Sequence, residues 1–302
     1  MTKGPDLPLW RSMLFVPANA PRFVSKAHTR GADAIILDLE DSVAPAEKAT
    51  ARAGLRQAVT TAGQAGADVC VRINRPLELA VADIEAAVGL GVAALVVPKV
   101  LGPEHLQLLE EVVAAGEAGA EMPVGATRFV ALVEDADALQ RIAAIARAPR
   151  VVAVAVGGED LATDLDAVPS ADSLYVAKML GIHAARAAGV LPLGSLGSVA
   201  ELGDNEAFRA VLRRSRALGF ACATCVHPGQ VAAINEEYGP GPEALEKAHR
   251  VVEAFEAGLA RGTGAVELDG RMIDLPVAER ARRLLARANG PASRPQAAPA
   301  AP

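Results

Sequence analysis

Cysteine is scarce. Three thiols, Cys70, Cys222 and Cys225, in 302 residues are too few and too oddly numbered for a disulfide framework. Cys222 and Cys225 have C-x-x-C spacing, but they sit in a short apolar run that reads as a strand, where positions three apart point to opposite faces. Buried, inert thiols are expected. Long apolar runs are missing as well: no stretch reaches the ~18 to 20 residues of a membrane-spanning helix. Met1 to Trp10 lacks the basic start and apolar middle of a signal peptide, so a cytoplasmic location with no membrane partner is expected. Nor is there a basic excess. Lys and Arg number 30 against 36 Asp and Glu, a formal net charge of -6, with no basic stripe, which argues against a nucleic-acid partner. What the chain has in quantity is apolar side chain: 51% hydrophobic against 22% charged, with mean hydropathy +0.25. That composition excludes disorder, and the length suits one large domain better than two small ones.

Short β-branched or apolar runs alternate with Ala-rich segments of helical spacing. The predicted strands are Met13 to Val16, Ala34 to Leu37, Val69 to Ile73, Ala94 to Val97, Phe129 to Val133, Val151 to Val156, Val190 to Leu193 and Cys222 to Val226. Between them fall predicted helices near Pro21 to His28, Ala46 to Thr61, Leu79 to Leu90, Glu104 to Ala118, Asp135 to Ala146, Ser173 to Ala188, Asn205 to Leu218 and Gly229 to Ile234. Eight β/α repeats with nearly continuous apolar strands, as parallel strands covered on both faces require, predict an α/β protein of the TIM (β/α)8 barrel class. A doubly wound sheet is the rival, disfavoured because no G-x-G-x-x-G follows an early strand; Gly262 and Gly264 supply only a late fragment. The barrel is expected over residues 1–235 and a C-terminal helical extension over 236–289. In the extension a helix near Pro242 to Arg261, a strand-like piece Ala265 to Ile273 and a helix Pro276 to Ala288 are predicted. The Ala/Pro-rich stretch 290–302 reads as a disordered tail.

A TIM barrel carries its chemistry at the C-terminal rim, and polar residues gather just after the predicted strands: Asp38, Glu40, Asp41 and Ser42; Arg72 and Asn74; Lys99; Glu134; Gly157 to Asp160; and His227. Glu134 and Asp160 follow adjacent strands, about 4.8 Å apart in such a sheet, so their carboxylates can converge on one cation. With oxygen donors alone and no H-E-x-x-H or convergent His/Cys set, Mg2+ or Mn2+ is favoured over Zn2+. The plainer alternative is that these acids cap the helices that follow. Arg72, flanked by Val71 and Ile73, offers a planar fork for a substrate carboxylate or enolate oxygen, or it neutralises the Asp38 to Asp41 cluster; both roles can coexist. Gly157 and Gly158 let a ligand approach the backbone closely, which places Gly158 and its neighbour Glu159 among the expected substrate-binding residues.

At these residues the chain resembles the citrate lyase β-subunit-like branch of the HpcH/HpaI aldolase family, whose members include malyl-CoA and citramalyl-CoA lyases. The resemblance runs from about Arg11 to Ala288. It is carried by Arg11 to Ala18, Gly31 to Asp33, Leu37 to Val43, Val71 to Asn74, Pro98-Lys99, Glu134, Gly157 to Leu161, Ala184 to Gly189, Val226 to Gln230 and Gly270 to Asp274. It implies a TIM barrel in which Glu134 and Asp160 hold Mg2+, with Glu40 and Asp41 behind them through metal-bound water. Arg72 is then implied to hold the keto-acid or enolate oxygen. Asp274 is implied to reach a neighbouring subunit's active site as acid/base, which makes the protein a homo-oligomer, a trimer or a multiple of it. Without the resemblance, Asp274 before Leu275-Pro276 reads as an ordinary helix N-terminal acid.

The chain departs from the family pattern at Asp135, at Cys222 to Cys225 and at Gly194 to Gly197. The activity expected is Mg2+-dependent, aldol- or Claisen-type cleavage of a β-hydroxyacyl-CoA, such as citramalyl-CoA or malyl-CoA, to acetyl-CoA and a 2-keto acid. The CoA thioester is thus a substrate, with Arg22 and Lys26 as candidates for its phosphates. The alternatives are a citrate lyase β subunit acting on citryl-acyl-carrier protein, a malyl-CoA thioesterase, a CoA-independent aldolase and a non-catalytic barrel subunit. No Schiff-base lysine is required, although Lys99 stands at the right rim for one.

Overall fold

The computed structural model describes residues 7–197 and 206–288; the expected tail and the first residue of the helix predicted from Asn205 lie outside the described residues. The chain divides into two compact units, Met1–Asn235 and Glu236–Pro302. In the first, the apolar runs form β1 (Ser12–Pro17), β2 (Ala34–Asp38), β3 (Asp68–Arg72), β4 (Ala94–Val97), β5 (Arg128–Val133), β6 (Val151–Val156), β7 (Leu191–Leu193) and β8 (Ala223–Cys225). They pair in chain order, all parallel, with β1 between β2 and β8. The ring is completed by a parallel bridge between Leu193 and Cys222. Backbone bonds reinforce it, from Gly194 N to Cys222 O at 2.8 Å and from Ala221 N to Pro192 O at 2.9 Å. This is the TIM-type barrel that the alternation predicts.

The period of two along each strand decides what fills it. Met13, Ala34, Ile36, Cys70, Ala94, Val96, Val130, Leu132, Ala153, Ala155, Leu191 and Leu193 belong to one buried cluster, and the register aligns them in layers: Met13 with Ala34, Ile36 with Cys70 and Val130 with Ala153. The intervening Leu14, Ile35, Leu37, Val71 and Leu95 are equally buried, which is why the strands read as continuous apolar runs. Each such side chain contributes roughly 1.5–3 kcal/mol by leaving water. All three cysteines are buried and none is in a disulfide. Burial pushes the Cys225 thiol up to about 12 and that of Cys70 higher still, so neither ionises to a nucleophilic thiolate near neutrality.

The helices of this part of the chain are α1 (Pro21–Ala27), α2 (Lys48–Ala53), α3 (Leu55–Gly63), α4 (Leu77–Ala87), α5 (Pro103–Gly119), α6 (Ala136–Gln140), α7 (Ile142–Ile145), α8 (Gly158–Asp164), α9 (Tyr175–Ala188), α10 (Glu206–Leu218) and α11 (Gln230–Tyr238). Three differ from the predicted set. The single helix expected over Ala46 to Thr61 is a one-turn Pro45–Glu47 segment followed by α2 and α3, interrupted at Gly54, a residue that costs a helix about 1 kcal/mol against alanine. The helix expected over Asp135 to Ala146 is broken at Arg141, whose guanidinium reaches Leu101 O and the Glu104 carboxylate. α8 follows β6 directly, where the glycine pair suggests only a turn. Its first-turn acids, Glu159 and Asp160, sit where the helix dipole favours negative charge.

The second unit has its own small core, Ala248, Val251, Phe255, Ile273, Ala278 and Ala281, between α12 (Pro242–Ala260) and α13 (Leu275–Ala288). The expected strand-like piece is an antiparallel hairpin of β9 (Val266–Leu268) and β10 (Arg271–Ile273). Asp269 and Gly270, at φ 52° and 72°, make the tight turn that Asp-Gly favours. Among the described residues, no helix is long and apolar enough to cross a membrane.

Candidate active site at the C-terminal rim

Two residues beyond the inward-facing core residues Ile36, Cys70 and Leu132 come Asp38, Arg72 and Glu134, so the same alternation that builds the core delivers charged groups at the barrel mouth. Asp38 and Arg72 are register partners across β2 and β3. The guanidinium grips that carboxylate with both prongs, Nε to Oδ1 at 2.6 Å and Nη2 to Oδ2 at 2.7 Å, and lies over the Phe15 ring, 4.8 Å from its centre. Two of its five N–H donors are thus spent on Asp38. Nη1 stands 2.9 Å from Glu40 Oε2, but Oε2 has no aligned hydrogen-bond donor. Arg72 therefore does neutralise the acidic loop and still has N–H groups to offer. It lines a cavity of about 910 Å³ together with Asp38, Asp41, Glu134, Glu159 and Asp160.

Lys99 sits at the centre of the acids. Its Nζ donates to Glu40 Oε1 at 2.7 Å and lies 3.5 Å from Asp41 and 3.9 Å from Asp160. Its φ of 47° is a left-handed conformation that a side-chain-bearing residue keeps only when its surroundings impose it. The imposing contact is its amide, which donates to Glu134 Oε2 at 2.7 Å. Although burial lowers the ammonium's pKa, the Glu40 bond and the charges of Glu40, Asp41 and Asp160 raise it above the ordinary value. The group stays charged and is unsuited to Schiff-base chemistry, which needs a free amine.

Gly157 explains how Glu134 is accommodated. A Cβ there would lie 2.4 Å from Glu134 Cγ and 2.5 Å from Oε1, so the glycine is the space the carboxylate occupies. Burial pushes the Glu134 carboxyl up to about 7, with Asp160 and Glu40 adding repulsion and the Lys99 bond opposing it. Burial likewise leaves Glu40 above its ordinary value despite Arg72 and Lys99. In Asp38, burial is outweighed by the bonds from Arg72, Ser42 and the Glu40 amide, which bring it below. Asp160, on α8, is 46% exposed to the cavity side, and Asp41 is 59% exposed.

The structure thus gathers Glu40, Asp41, Arg72, Glu134 and Asp160, with Gly158 and Glu159 on the same cavity wall. From α1 and the turn after it the wall takes Phe23, Ala27 and Arg30; Arg22 and Lys26 are exposed beside it, Arg22 stacked on Phe23. Asp135 caps α6, its carboxylate accepting from Ala138 N at 2.7 Å. Asp274 belongs to the second unit, where its Oδ1 accepts from Val277 N at 3.3 Å at the start of α13, the plainer of the two roles its sequence allows.

Three supporting groups have no sequence signal. Lys48 Nζ donates to Leu39 O and Glu40 O at 2.9 and 2.8 Å. Asp83 accepts from Arg52 and from the Asn74 backbone and side-chain amides, while Asn74 Nδ2 donates to Leu39 O. Together they fix the acidic loop after β2. The third, Lys178, is buried in the cavity wall. Asp38 had a signal, being last in its strand opposite the last residue of the next.

Among the described residues, no group of three or more His, Cys, Asp or Glu side chains is arranged to hold a metal ion. What stands here is a pair of oxygen donors, Glu134 and Asp160, beside Asp38, Glu40 and Asp41, which pair with Arg72 and Lys99. The raised Glu134 pKa reflects burial first, with repulsion from Asp160 and Glu40 adding to it. Such a set fits a hard divalent cation that keeps several waters, as Mg2+ does, and not the three or four protein ligands of a zinc site.

Residues 11–228 match the family model described as HpcH/HpaI aldolase/citrate lyase. Citrate lyase subunit beta of Leuconostoc mesenteroides subsp. cremoris is 33% identical over 285 residues, 93% of this chain and 94% of that protein. L-malyl-CoA/beta-methylmalyl-CoA lyase of Cereibacter sphaeroides is 31% identical over 291 residues, covering 88% and 90%. The structure of CitE from Mycobacterium tuberculosis in complex with magnesium, acetoacetate and coenzyme A matches with a TM-score of 0.71 at 31% identity, over 92% of this chain and 97% of that one.

Proposed function

Because the chain belongs to the HpcH/HpaI aldolase/citrate lyase family, we propose that it is a Mg2+-dependent carbon–carbon lyase. Its substrate class is a β-hydroxyacyl-CoA, citramalyl-CoA or malyl-CoA, cleaved reversibly to acetyl-CoA and a 2-keto acid. The observation that carries this reading is the Glu134 and Asp160 pair beside Arg72 in one cavity. Support comes from the CitE complex, which holds magnesium, acetoacetate and coenzyme A, and from the malyl-CoA lyase relative.

In the cleavage direction the β-hydroxyl loses its proton, the bond from the carbinol carbon to the thioester α-carbon breaks, and that electron pair becomes a thioester enolate. A proton added at the α-carbon then gives acetyl-CoA. Glu134 and Asp160 would hold Mg2+, with Glu40 and Asp41 behind them to accept from its waters, and the chemistry it would supply there is Lewis-acid polarisation of the keto-acid oxygen. Arg72 directs its remaining N–H groups at the oxygen that gathers negative charge, held in place in advance by Asp38 and Phe15, so that little reorganisation is needed as charge develops. Gly158 and Glu159 shape the acid's side of the cavity, and Arg22 and Lys26 serve the CoA phosphates. Asp274 of a neighbouring copy supplies the proton at the α-carbon, in a homotrimer or a multiple of it working in the cytoplasm.

The citrate lyase beta relative favours a second reading, cleavage of a citryl group carried on an acyl-carrier protein. Product analysis separates these. Purified protein with Mg2+ should release acetyl-CoA and keto acid in equal amounts from a CoA thioester and stop in EDTA. Release of free CoA would indicate hydrolysis, and no turnover of either thioester would favour the carrier-bound substrate.

A further inference from the structure

One residue touches both carboxylates of the candidate metal pair, and it does so through two different groups. The Lys99 amide donates to Glu134 Oε2 at 2.7 Å, while its Nζ lies 3.9 Å from Asp160 Oδ1. The same ammonium donates to Glu40 Oε1 at 2.7 Å and stands 3.5 Å from Asp41 Oδ2. Arg72 shares Glu40 and Asp41, at 2.9 and 3.7 Å. Asp160 has no such second cation: among the described residues Lys99 alone pairs with it.

The two contacts act in opposite senses on a metal. An amide N–H fixes the orientation of a carboxylate and brings no formal charge, as the groups that steer metal ligands do. An ammonium beside the other carboxylate brings a full positive charge, and a divalent ion drawn to that oxygen is repelled by it over a few ångströms. The charge is tethered there. The left-handed backbone, φ 47°, and the amide bond to Glu134 fix one end of the side chain, and the Glu40 bond fixes the other. Glu40 is only 7% exposed, so its pairing with Nζ is weakly screened by solvent, whereas Asp160 keeps 46% of its side chain open.

We propose that Lys99 sets the metal affinity of the rim: its ammonium is a built-in counter-cation for Glu40, Asp41 and Asp160, from which Asp160 must be won before it can serve a divalent ion. This rests on the metal-dependent lyase reading and deepens it. Lys99 is a positioning residue with two separable parts, an amide that orients Glu134 and a charge that holds down the affinity of Asp160 for metal.

The test is calorimetric titration with Mg2+ alone, at constant ionic strength and without substrate, of wild type, Lys99→Met and Lys99→Arg, with melting curves of the same proteins in EDTA. Methionine keeps the amide and most of the side-chain length but removes the charge. Lys99→Met should bind Mg2+ about tenfold or more tightly than wild type and melt at a lower temperature in EDTA, because its acids repel one another unbalanced. Lys99→Arg keeps the charge and should stay close to wild type in both. Lys99→Gly, suited to the positive φ, removes the charge by a second route and should tighten Mg2+ binding likewise, so a methionine variant that fails to fold does not end the test. Mg2+ affinity equal to or below wild type in the folded uncharged variants would overturn the proposal, as would an equal gain in Lys99→Arg; either leaves the lyase reading standing, since wild type binds the metal. Wild type that takes up no Mg2+ would overturn both.

Discussion

Gly157→Ala adds a single methyl group where the structure leaves no room for one. Gly157 has φ -74° and ψ 112°, a conformation alanine adopts freely, so backbone strain is not the issue. The added Cβ would stand 2.4 Å from Glu134 Cγ and 2.5 Å from Oε1, against 3.4 Å or more for ordinary contact. The Glu134 side chain must retreat by about 1 Å, which breaks its bond with the Lys99 amide, now 2.7 Å. Such a bond to a charged acceptor contributes about 1.5–3 kcal/mol, and overpacking costs about 1–3 kcal/mol. A displaced ligand side chain should weaken Mg2+ binding about 10- to 100-fold, the range seen when the groups that orient metal ligands are removed. Calorimetric Mg2+ titration checks this, with a melting curve alongside. Gly158→Ala is the control, because the nearest neighbours of its new Cβ are the flexible ends of Leu174 at 3.0 Å and Lys178 at 3.8 Å, not Glu134. Wild-type Mg2+ affinity in Gly157→Ala would refute the placement of Glu134 as a ligand held by that space.

Other consequences follow from the same geometry. Arg72→Lys keeps the charge but loses the two-pronged grip on Asp38, and should lower turnover by at least ~100-fold while lowering the melting temperature; steady-state kinetics and thermal melts read the two effects. Glu117, fully buried, takes bonds from Gly125 N, Thr127 N and Arg150; although burial raises its pKa, these bonds bring it below the ordinary carboxylate value. Its stabilisation is therefore complete above the unfolded-state pKa and is lost as pH falls through the lower, folded-state value. Glu117→Gln should cost about 3 kcal/mol at pH 7 and flatten the acid limb of a stability-against-pH curve. Asp274→Ala and Asp160→Ala should each be inactive alone, yet mixed subunits should recover activity if Asp274 works across an interface; no recovery in assembled mixtures would remove that role.

The barrel was legible because one signal, apolar runs at period two separated by helical spacing, is repeated eight times and no single ambiguity matters. The rim was legible for the same reason: Asp38, Arg72 and Glu134 continue the alternation of Ile36, Cys70 and Leu132. Helix interruptions were not, because the break at Arg141 depends on what its guanidinium finds on α5 and the preceding loop, a tertiary contact that propensity does not encode. α8 was hidden by the glycines that start it. Lys48, Asp83 and Lys178 bond to partners 8 to 19 residues away in sequence, and nothing in their neighbourhoods distinguishes them from surface charges. Lys99 was visible as a rim residue, but its left-handed backbone and its place among the acids emerge only once β4 and β5 are in register.

The central claim is that a divalent cation held by Glu134 and Asp160 drives carbon–carbon cleavage at this rim. The most direct measurement follows acetyl-CoA and keto-acid formation from citramalyl-CoA and malyl-CoA while Mg2+ binding is titrated in the same samples, for wild type and Asp160→Ala. The account predicts cleavage that rises with metal occupancy and a parallel loss of occupancy and cleavage in the variant. Cleavage that persists without bound metal, or a variant that binds Mg2+ and turns over as wild type does, would contradict it.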